Sequence, residues 1–198
     1  KDTDYVDPKT LIHYAEVGDY IGAQMAAQNL VVDARLVPAI DWAPAAIGYG
    51  TALGNLQLNA SASATGVPSV PGTFVYTPAL GTVLSAGVHT LQVVFTPTDA
   101  TKFTTQSMIR QITVNKATLT VKANPQTKVY GSFDPPFTFS ATGFVNGDTE
   151  ATALSGALDR EIGSNVGQYA INIGTLRTSG NYTGSFTGAL LDITPAPL

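Results

Sequence analysis

An aromatic residue followed 14 positions later by an alanine occurs three times in this chain of 198 residues. The alanines are 83 and 79 residues apart, and each begins a three-residue phrase that ends in leucine. An internal period of about 80 residues indicates tandem copies of one small module. The pattern therefore predicts an array of similar domains. The three pairs are Tyr20 with Ala34, Phe103 with Ala117, and Tyr182 with Ala196.

The period divides the chain into three parts. Residues 35–116 and 117–198 are each long enough for a complete module with a small hydrophobic core. Residues 1–34 hold only the last part of the pattern, so we expect them to be the C-terminal remnant of an upstream module in a longer protein. The boundary at residues 115–119 contains no acidic residue, and rigidity there is expected to come from the shortness of the connection.

Two interpretations of residues 1–34 are open. The repeat register favours a terminal hairpin, because residues 10–14 resemble the strand-like residues 90–94. The alternative is a helix, in which Asp7 is the N-cap, Pro8 is the first residue, and the apolar positions follow at helical spacing. Those apolar positions are Leu11, Ile12 and Ala15.

The composition favours β-structure. Threonine occurs 26 times, glycine 19 times and proline 12 times, whereas charged residues make up only 12% of the chain. Branching at Cβ stiffens threonine and valine towards extended backbone, which suits a pleated surface. The chain is therefore predicted to be all-β.

Short segments with alternating apolar and polar residues follow one another along both modules, as expected of strands with one buried face. Turn signals such as Asn146-Gly147 separate them. About seven short strands in each module indicate tandem immunoglobulin-like β-sandwiches joined end to end. The recurring aromatic residue is interpreted as a core or corner residue. The clearest strand segments are residues 73–76, 89–95, 106–114, 119–123, 137–140, 169–173 and 190–193.

Charge and cysteine content exclude several classes of function. The net charge is −4 without a basic cluster, which argues against nucleic acid and against an anionic membrane surface as partners. No apolar run reaches the roughly 18 residues of a membrane-spanning helix. The absence of cysteine excludes disulfides, thiolate metal sites and cysteine nucleophiles.

Histidines and acidic residues offer few candidates for chemistry. His13 and His89 lie in different parts of the array, so a paired-histidine metal site is not expected. The ring of His89 is predicted to face the surface, and Asp99 lies across a strand and a turn from it, which does not favour a hydrolase relay. Three acidic groups are interpreted as solvated loop charge rather than Ca²⁺ ligands. These groups are Asp2 with Asp4 and Asp7, Asp148 with Glu150, and Asp159 with Glu161 around Arg160.

The remaining candidates are also weak. Trp42 and Tyr49 could stack on a sugar, but their positions suggest packing. A glycosidase pair formed by Asp148 and Asp159 is not favoured by their spacing. An intramolecular isopeptide bond would join Lys122 or Lys128 to Asn181, and an intact mass without loss of ammonia would exclude it. We therefore assign no catalytic, cofactor-binding or metal-binding residues.

Longer phrases in the two modules resemble known repeats. Residues 35–116 resemble an immunoglobulin-like repeat of large bacterial surface proteins through Tyr49-Gly50-Thr51, Thr73-Phe74-Val75-Tyr76 and Thr96-Pro97-Thr98-Asp99. Residues 117–196 resemble the MBG-type module of bacterial secreted and surface proteins. That resemblance is carried by Val129-Tyr130-Gly131, Asp134-Pro135-Pro136-Phe137, Val145-Asn146-Gly147-Asp148 and Asn181-Tyr182. It implies an array in an exported protein, such as an adhesin stalk, without catalytic residues.

These observations predict a non-catalytic stalk segment of an exported bacterial surface protein, located outside the cell, that spaces a distal adhesive domain from the cell surface. Its partners would be neighbouring modules of the same polypeptide. One alternative is a module that binds a surface glycan or protein through loops at residues 61–72 or 143–152. Another is an accessory domain of a large extracellular enzyme.

Overall fold

The computed structural model describes residues 5–6, 13–14 and 35–197. Within residues 1–36, strand β1 (Tyr5–Val6) pairs antiparallel with strand β2 (His13–Tyr14). The recurring Tyr20, the acidic residues Asp2, Asp4 and Asp7, and most of the segment predicted as a hairpin or a helix lie outside the described residues. The assignment of residues 1–34 to an upstream module therefore stays a prediction.

Residues 37–198 form a second compact unit, and its hydrogen-bonded strands divide into two groups on either side of residue 116. The first group, which we call the first sandwich, has one four-stranded sheet in the order β4-β8-β7-β6 and a two-stranded sheet, β3-β5. Its strands are β3 (Ala39–Asp41), β4 (Ile47–Gly48), β5 (Ser61–Ser63), β6 (Gly72–Thr77), β7 (Gly87–Pro97) and β8 (Gln106–Asn115).

The second group, which we call the second sandwich, has a four-stranded sheet in the order β10-β17-β14-β13, a three-stranded sheet, β11-β9-β16, and the short pair β12-β15. A one-turn helix, α1 (Glu150–Ala153), precedes β12. The strands are β9 (Ala117–Ala123), β10 (Gln126–Val129), β11 (Phe139–Thr142), β12 (Leu154–Ser155), β13 (Asp159–Arg160), β14 (Gly167–Asn172), β15 (Arg177–Thr178), β16 (Tyr182–Thr187) and β17 (Ala189–Thr194).

The four-stranded sheets of the two sandwiches are built alike. In each, a short strand pairs parallel with the last strand of the sandwich, which pairs antiparallel with a long inner strand. The registers also correspond. Ile47, Val114 and Gly87 are aligned across the first sheet, as Lys128, Ile193 and Gly167 are across the second. The sequence repeat is therefore a repeat of strand order and register.

Alternation along the strands produces the core, because successive side chains point to opposite faces of a sheet. Leu91, Val93 and Phe95 of β7 are buried, and so are Leu119 and Val121 of β9. One continuous apolar cluster contains buried residues of both sandwiches, and a smaller cluster around Phe95 and Phe103 lies in the first sandwich alone. Burial at roughly 25 cal/mol per Å² of apolar area stabilises both sandwiches without disulfides.

The predicted fold class, all-β with tandem immunoglobulin-like sandwiches, is confirmed. The domain boundaries at residue 116 stay a prediction, because residues 37–198 group as one compact unit that shares one apolar cluster. None of the helices among the described residues has the length and apolar character of a membrane span.

Candidate functional site

The two sandwiches meet at a junction that a single connecting residue spans. Strand β8 ends at Asn115 and strand β9 begins at Ala117, so only Lys116 lies between them. The backbone N–H of Ala117 donates to the carbonyl of Asn181, 3.0 Å away, which fixes the first residue of β9 to the loop before β16. The short connection predicted from the sequence is therefore present.

The first sandwich contributes a tight corner to the junction. After β4, the N–H of Tyr49 donates to the carbonyl of Asn115 at 2.8 Å, and Gly50 adopts a φ of +91°. Glycine reaches this backbone region without the steric cost that a Cβ would impose. The corner places Tyr49 against the second sandwich, where only 8% of its surface stays exposed.

The second sandwich contributes the turn that contains Asn146, Gly147 and Asp148. Asn146 and Gly147 have φ values of +56° and +74°, and the N–H of Asp148 donates to the carbonyl of Val145 at 3.0 Å. Two consecutive positive φ values are the reason why Asn-Gly is favoured in such turns. The turn predicted at Asn146-Gly147 is confirmed, and it connects β11 with α1.

One carboxylate oxygen of Asp148 joins the two sandwiches. The hydroxyl of Tyr49 donates to Oδ2 at 2.9 Å, and the hydroxyl of Tyr182 donates to the same atom at 2.8 Å. The amide of Asn146 donates to the Tyr49 hydroxyl at 3.3 Å, and the N–H of Val145 donates to the Tyr182 hydroxyl at 3.1 Å. The two tyrosine rings pack edge to face, with centroids 5.5 Å apart.

Burial of Tyr182 raises the pKa of its phenol, and the hydrogen bond to Asp148 raises that pKa further. The N–H of Val145 acts in the opposite direction, because it donates to the phenol oxygen. The phenol is therefore held in its neutral form, in which it can donate to the carboxylate.

Two contacts join the sandwiches in addition to the tyrosine hydrogen bonds. The N–H of Ala86 in the first sandwich donates to Oδ1 of Asn181 in the second, at 2.9 Å. A Cβ placed on Gly50 would lie only 2.8 Å from the Cβ of Val145, so the backbone of the corner approaches the second sandwich closely. The junction is thus a packed, hydrogen-bonded interface and not merely a short connection.

A separate charged cluster lies within the second sandwich. Asp134 accepts from the ammonium of Lys128 at 2.7 Å and from Nε of Arg160 at 2.6 Å. The guanidinium of Arg160 also lies 5.5 Å from the centre of the Tyr169 ring. The hydrogen bonds from Arg160 and Lys128 lower the pKa of the Asp134 carboxyl, and Asp134 raises the pKa of Arg160. Asp134 thus ties Lys128 of β10 to Arg160 of β13, so this cluster braces the loops that follow these strands.

The predicted character of the acidic residues was wrong for Asp148, which is a partly buried acceptor at the junction and not a solvated loop charge. Because residues 115–119 contain no acid, rigidity was expected from the short connection alone. Asp148 instead reaches the junction from a loop that is distant in the sequence. In the described part of the chain, no three histidine or acidic side chains come close enough to hold a metal ion. Glu150 is exposed, and Asp159 accepts from the N–H of Arg160.

His89 lies near the start of β7, on the same side of the strand as Leu91, where its residue is half-buried and its hydrogen bond is exposed to solvent. Its Nε2 lies 2.7 Å from the carbonyl of Ser85. Asp99 follows the opposite end of β7 and contacts Thr101 and Lys102 instead. The structure therefore does not bring His89 and Asp99 together.

Trp42 packs in the core, as its position suggested, and donates from Nε1 to the carbonyl of Gln57 at 2.7 Å. The isopeptide candidates have other contacts. Lys128 pairs with Asp134, while Asn181 binds Ala86. Lys122 is exposed five residues along β9 from Ala117, roughly 16 Å from the Asn181 contact at that residue.

Sequence reasoning missed the site formed by Tyr49, Asp148 and Tyr182. Each of these residues belongs to a motif that resembles a known repeat, but 99 residues separate Tyr49 from Asp148 and 34 separate Tyr182 from Asp148. No local pattern shows that these phrases meet. The arrangement has the chemistry of a rigid interface, because its polar groups are satisfied by one another.

Comparisons with known proteins find one family match, and it lies in the second sandwich. Residues 119–192 match the family model described as "MBG domain (YGX type)", which confirms the resemblance of that region. The match does not extend to the first sandwich, whose resemblance to an immunoglobulin-like repeat stays a prediction. No curated protein matches the chain.

Among solved structures, the chain is similar to one titled "Structures of Clostridium thermocellum CbhA fibronectin(III)-like modules". The two are 16% identical, and the similarity covers 80% of this chain and 95% of the other, with a TM-score of 0.27.

Proposed function

We propose that this chain is a non-catalytic spacer segment of an exported bacterial surface protein, in which sandwiches stacked end to end hold a distal domain away from the cell. The observation that carries the proposal is the junction, where Asp148 accepts hydrogen bonds from Tyr49 of one sandwich and Tyr182 of the other. A spacer needs fixed angles between its modules, and a packed, satisfied interface supplies them. The family match of residues 119–192 supports the surface location.

The contacts of the ionisable residues support a non-catalytic role. Asp148 is used at the junction, and Asp134 is paired with both Lys128 and Arg160. A general base for hydrolysis would need a nucleophile and an orienting acid within hydrogen-bond reach. Nε2 of His89 lies 2.7 Å from the carbonyl and 3.4 Å from the hydroxyl of Ser85, but no acidic side chain among the described residues contacts the ring to orient it.

Both loops that could bind a glycan or a protein also contribute residues to internal packing. Residues 61–72 contain β5 and supply buried Ala62 and Val70 to the smaller apolar cluster. Residues 143–152 contain the turn that holds Tyr49. A pocket of about 180 Å³ beside Val121 and Phe186 is smaller than the roughly 300 Å³ expected of a small-molecule site.

The spacer function can be tested by measuring distances between spin labels, because the chain contains no cysteine that would compete for labelling. One label pair joins the two sandwiches, at the exposed strand positions Val75 and Thr187, each changed to cysteine. A reference pair lies within the first sandwich, at Val75 and Thr113, which are roughly 20 Å apart along and across the sheet.

We expect the distance distribution between the sandwiches to be as narrow as the one within the first sandwich. The substitution Asp148→Ala should broaden only the distribution between the sandwiches, because it removes the shared acceptor. The matched control Glu150→Ala removes an exposed acid two residues away and should broaden neither. A broad distribution between the sandwiches in the unsubstituted chain would refute the spacer function.

A further inference from the structure

The corner that contacts the second sandwich recurs at the other end of that sandwich. After β10, the N–H of Tyr130 donates to the carbonyl of Thr194 at 2.8 Å, and Gly131 has a φ of +86°. The equivalent values at Tyr49 and Gly50 are 2.8 Å to Asn115 and +91°. The two corners follow short strands of equal register, so they are equivalent by backbone geometry as well as by sequence.

The two corners differ in what covers them. Tyr49 is 8% exposed beneath the second sandwich, whereas Tyr130 is 50% exposed. A Cβ on Gly50 would collide with Val145, whereas nothing lies within 4 Å of a Cβ on Gly131. Among the described residues, the hydroxyl of Tyr130 has no hydrogen-bond partner like the carboxylate that accepts from Tyr49.

A second position shows the same contrast. Gly87 and Gly167 begin β7 and β14 at equivalent registers, and the residues before them are Ala86 and Val166. The N–H of Ala86 donates to Asn181 across the junction. Val166 is exposed, and its N–H has no acceptor among residues 35–197. Both contact points of the first sandwich thus have open equivalents on the second.

Large apolar side chains surround these open positions. Phe133 and Ile162 are each 98% exposed. Their loops are tied to one another, because Arg160 donates both to Asp134, which follows Phe133, and to the carbonyls of Glu161 and Gly163, which flank Ile162. We call the surface formed by Tyr130, Phe133, Ile162 and Val166 the distal surface. Apolar side chains held open in this way mark an interaction site.

We propose that the distal surface docks a further β-sandwich of the same kind, which presents a carboxylate to the Tyr130 hydroxyl and a carboxamide to the N–H of Val166. Those groups would stand where Asp148 and Asn181 stand in the second sandwich. This proposal rests on the spacer function and identifies its partner. In this chain Asp148 and Asn181 are already engaged at the junction, so the occupant is a third sandwich and not a second copy of the chain.

The test uses the chain through Pro195 followed directly by a copy of residues 117–198, so that Pro195 alone connects the strands as Lys116 does at the junction, compared with the unextended chain. Hydroxyl-radical oxidation rates of Tyr130 and Phe133 report their exposure. The exposed fractions of 50% for Tyr130 and 8% for Tyr49 imply about a sixfold fall in the oxidation rate of Tyr130 on extension. Val75, which is exposed on the first sandwich, is the internal reference.

Asp148→Ala in the appended copy alone should restore the oxidation of Tyr130, and Glu150→Ala in that copy should not. Unchanged oxidation on extension, with the appended copy folded by circular dichroism, would overturn the proposal. Protection of the unextended chain that rises with its concentration would also overturn it, because the occupant would then be a second copy. The spacer function is tested separately, by the spin-label distances in the unextended chain.

A second measurement does not depend on the folding of the appended copy. In the unextended chain, Tyr130→Phe should leave the urea midpoint of unfolding unchanged, because its hydroxyl has no partner among the described residues. Tyr49→Phe should lower the midpoint, because its hydroxyl donates to Asp148. An equal loss of stability in both variants would show that Tyr130 acts within its own sandwich and would contradict the docking role.

Discussion

Replacing Asp148 by alanine is the most direct perturbation of the junction. The substitution removes the acceptor of two tyrosine hydroxyls, at 2.9 and 2.8 Å, and each hydrogen bond to a charged group contributes roughly 1.5–3 kcal/mol. The loss is partly offset, because the Tyr182 hydroxyl can donate instead to the carbonyl of Val145, 3.2 Å away. Such a replacement returns about 1 kcal/mol, and solvent reaches part of Asp148. We expect a net loss of about 2 kcal/mol.

Equilibrium unfolding in urea measures this loss. With a slope of about 2 kcal/mol per molar, the midpoint should fall by about 1 M. A double-mutant cycle with Tyr49→Phe isolates the contact between the sandwiches and should give a coupling energy of about 1 kcal/mol. The control Glu150→Ala should leave the midpoint in place. If Asp148→Ala shifts the midpoint no more than this control does, the reasoning that the carboxylate joins the sandwiches is refuted.

Three further predictions concern single residues. The raised pKa of Tyr182 means that the unfolded chain ionises first, so its contribution to stability should be complete below pH about 10 and lost as the pH rises through the folded pKa; urea midpoints measured up to pH 11 should show a decline that Tyr182→Phe reduces. The lowered pKa of Asp134 contributes stability above pH about 4 that is lost as the pH falls through the folded pKa; thermal unfolding between pH 6 and 2 should show this loss, and it should be absent from Asp134→Asn. Gly50→Ala should destabilise the chain by about 2–3 kcal/mol in urea unfolding, whereas Gly131→Ala should cost only the backbone strain of about 1–2 kcal/mol; equal losses would contradict a close contact at Gly50.

The strands with strong alternation could be predicted from the sequence. Residues 89–95 were predicted as a strand, and β7 extends over Gly87–Pro97. Residues 106–114 were predicted, and β8 covers Gln106–Asn115. Most residues at alternate positions of these segments are buried or half-buried, so the local pattern is sufficient. The predicted strand at residues 137–140 instead lies two residues later, at Phe139–Thr142. Its pairing with β9 sets that register, and no local pattern shows it.

The short strands and the site could not be predicted in the same way. Strands β4 and β12 contain two residues each, and only their partners in the sheet make them strands. Helix α1 has a single turn, which is too short for a helical period to appear in the sequence. The acceptor role of Asp148 depends on a tyrosine 99 residues away. The packing of two complete sandwiches sets such contacts. For this reason the sequence alone led to the prediction that Asp148 is solvated.

The pairing of the first and last strands of the second sandwich determines how this sandwich resists a mechanical load. The chain enters through β9, which pairs parallel with β16 over six residue pairs, and leaves through β17, which pairs parallel with β10 over four. Hydrogen bonds between strands lie across the strand direction. Tension along the chain therefore loads all hydrogen bonds of a strand pair in shear at the same time and does not break them one by one. The terminal strands β9 and β17 are thus the elements that resist extension of this sandwich.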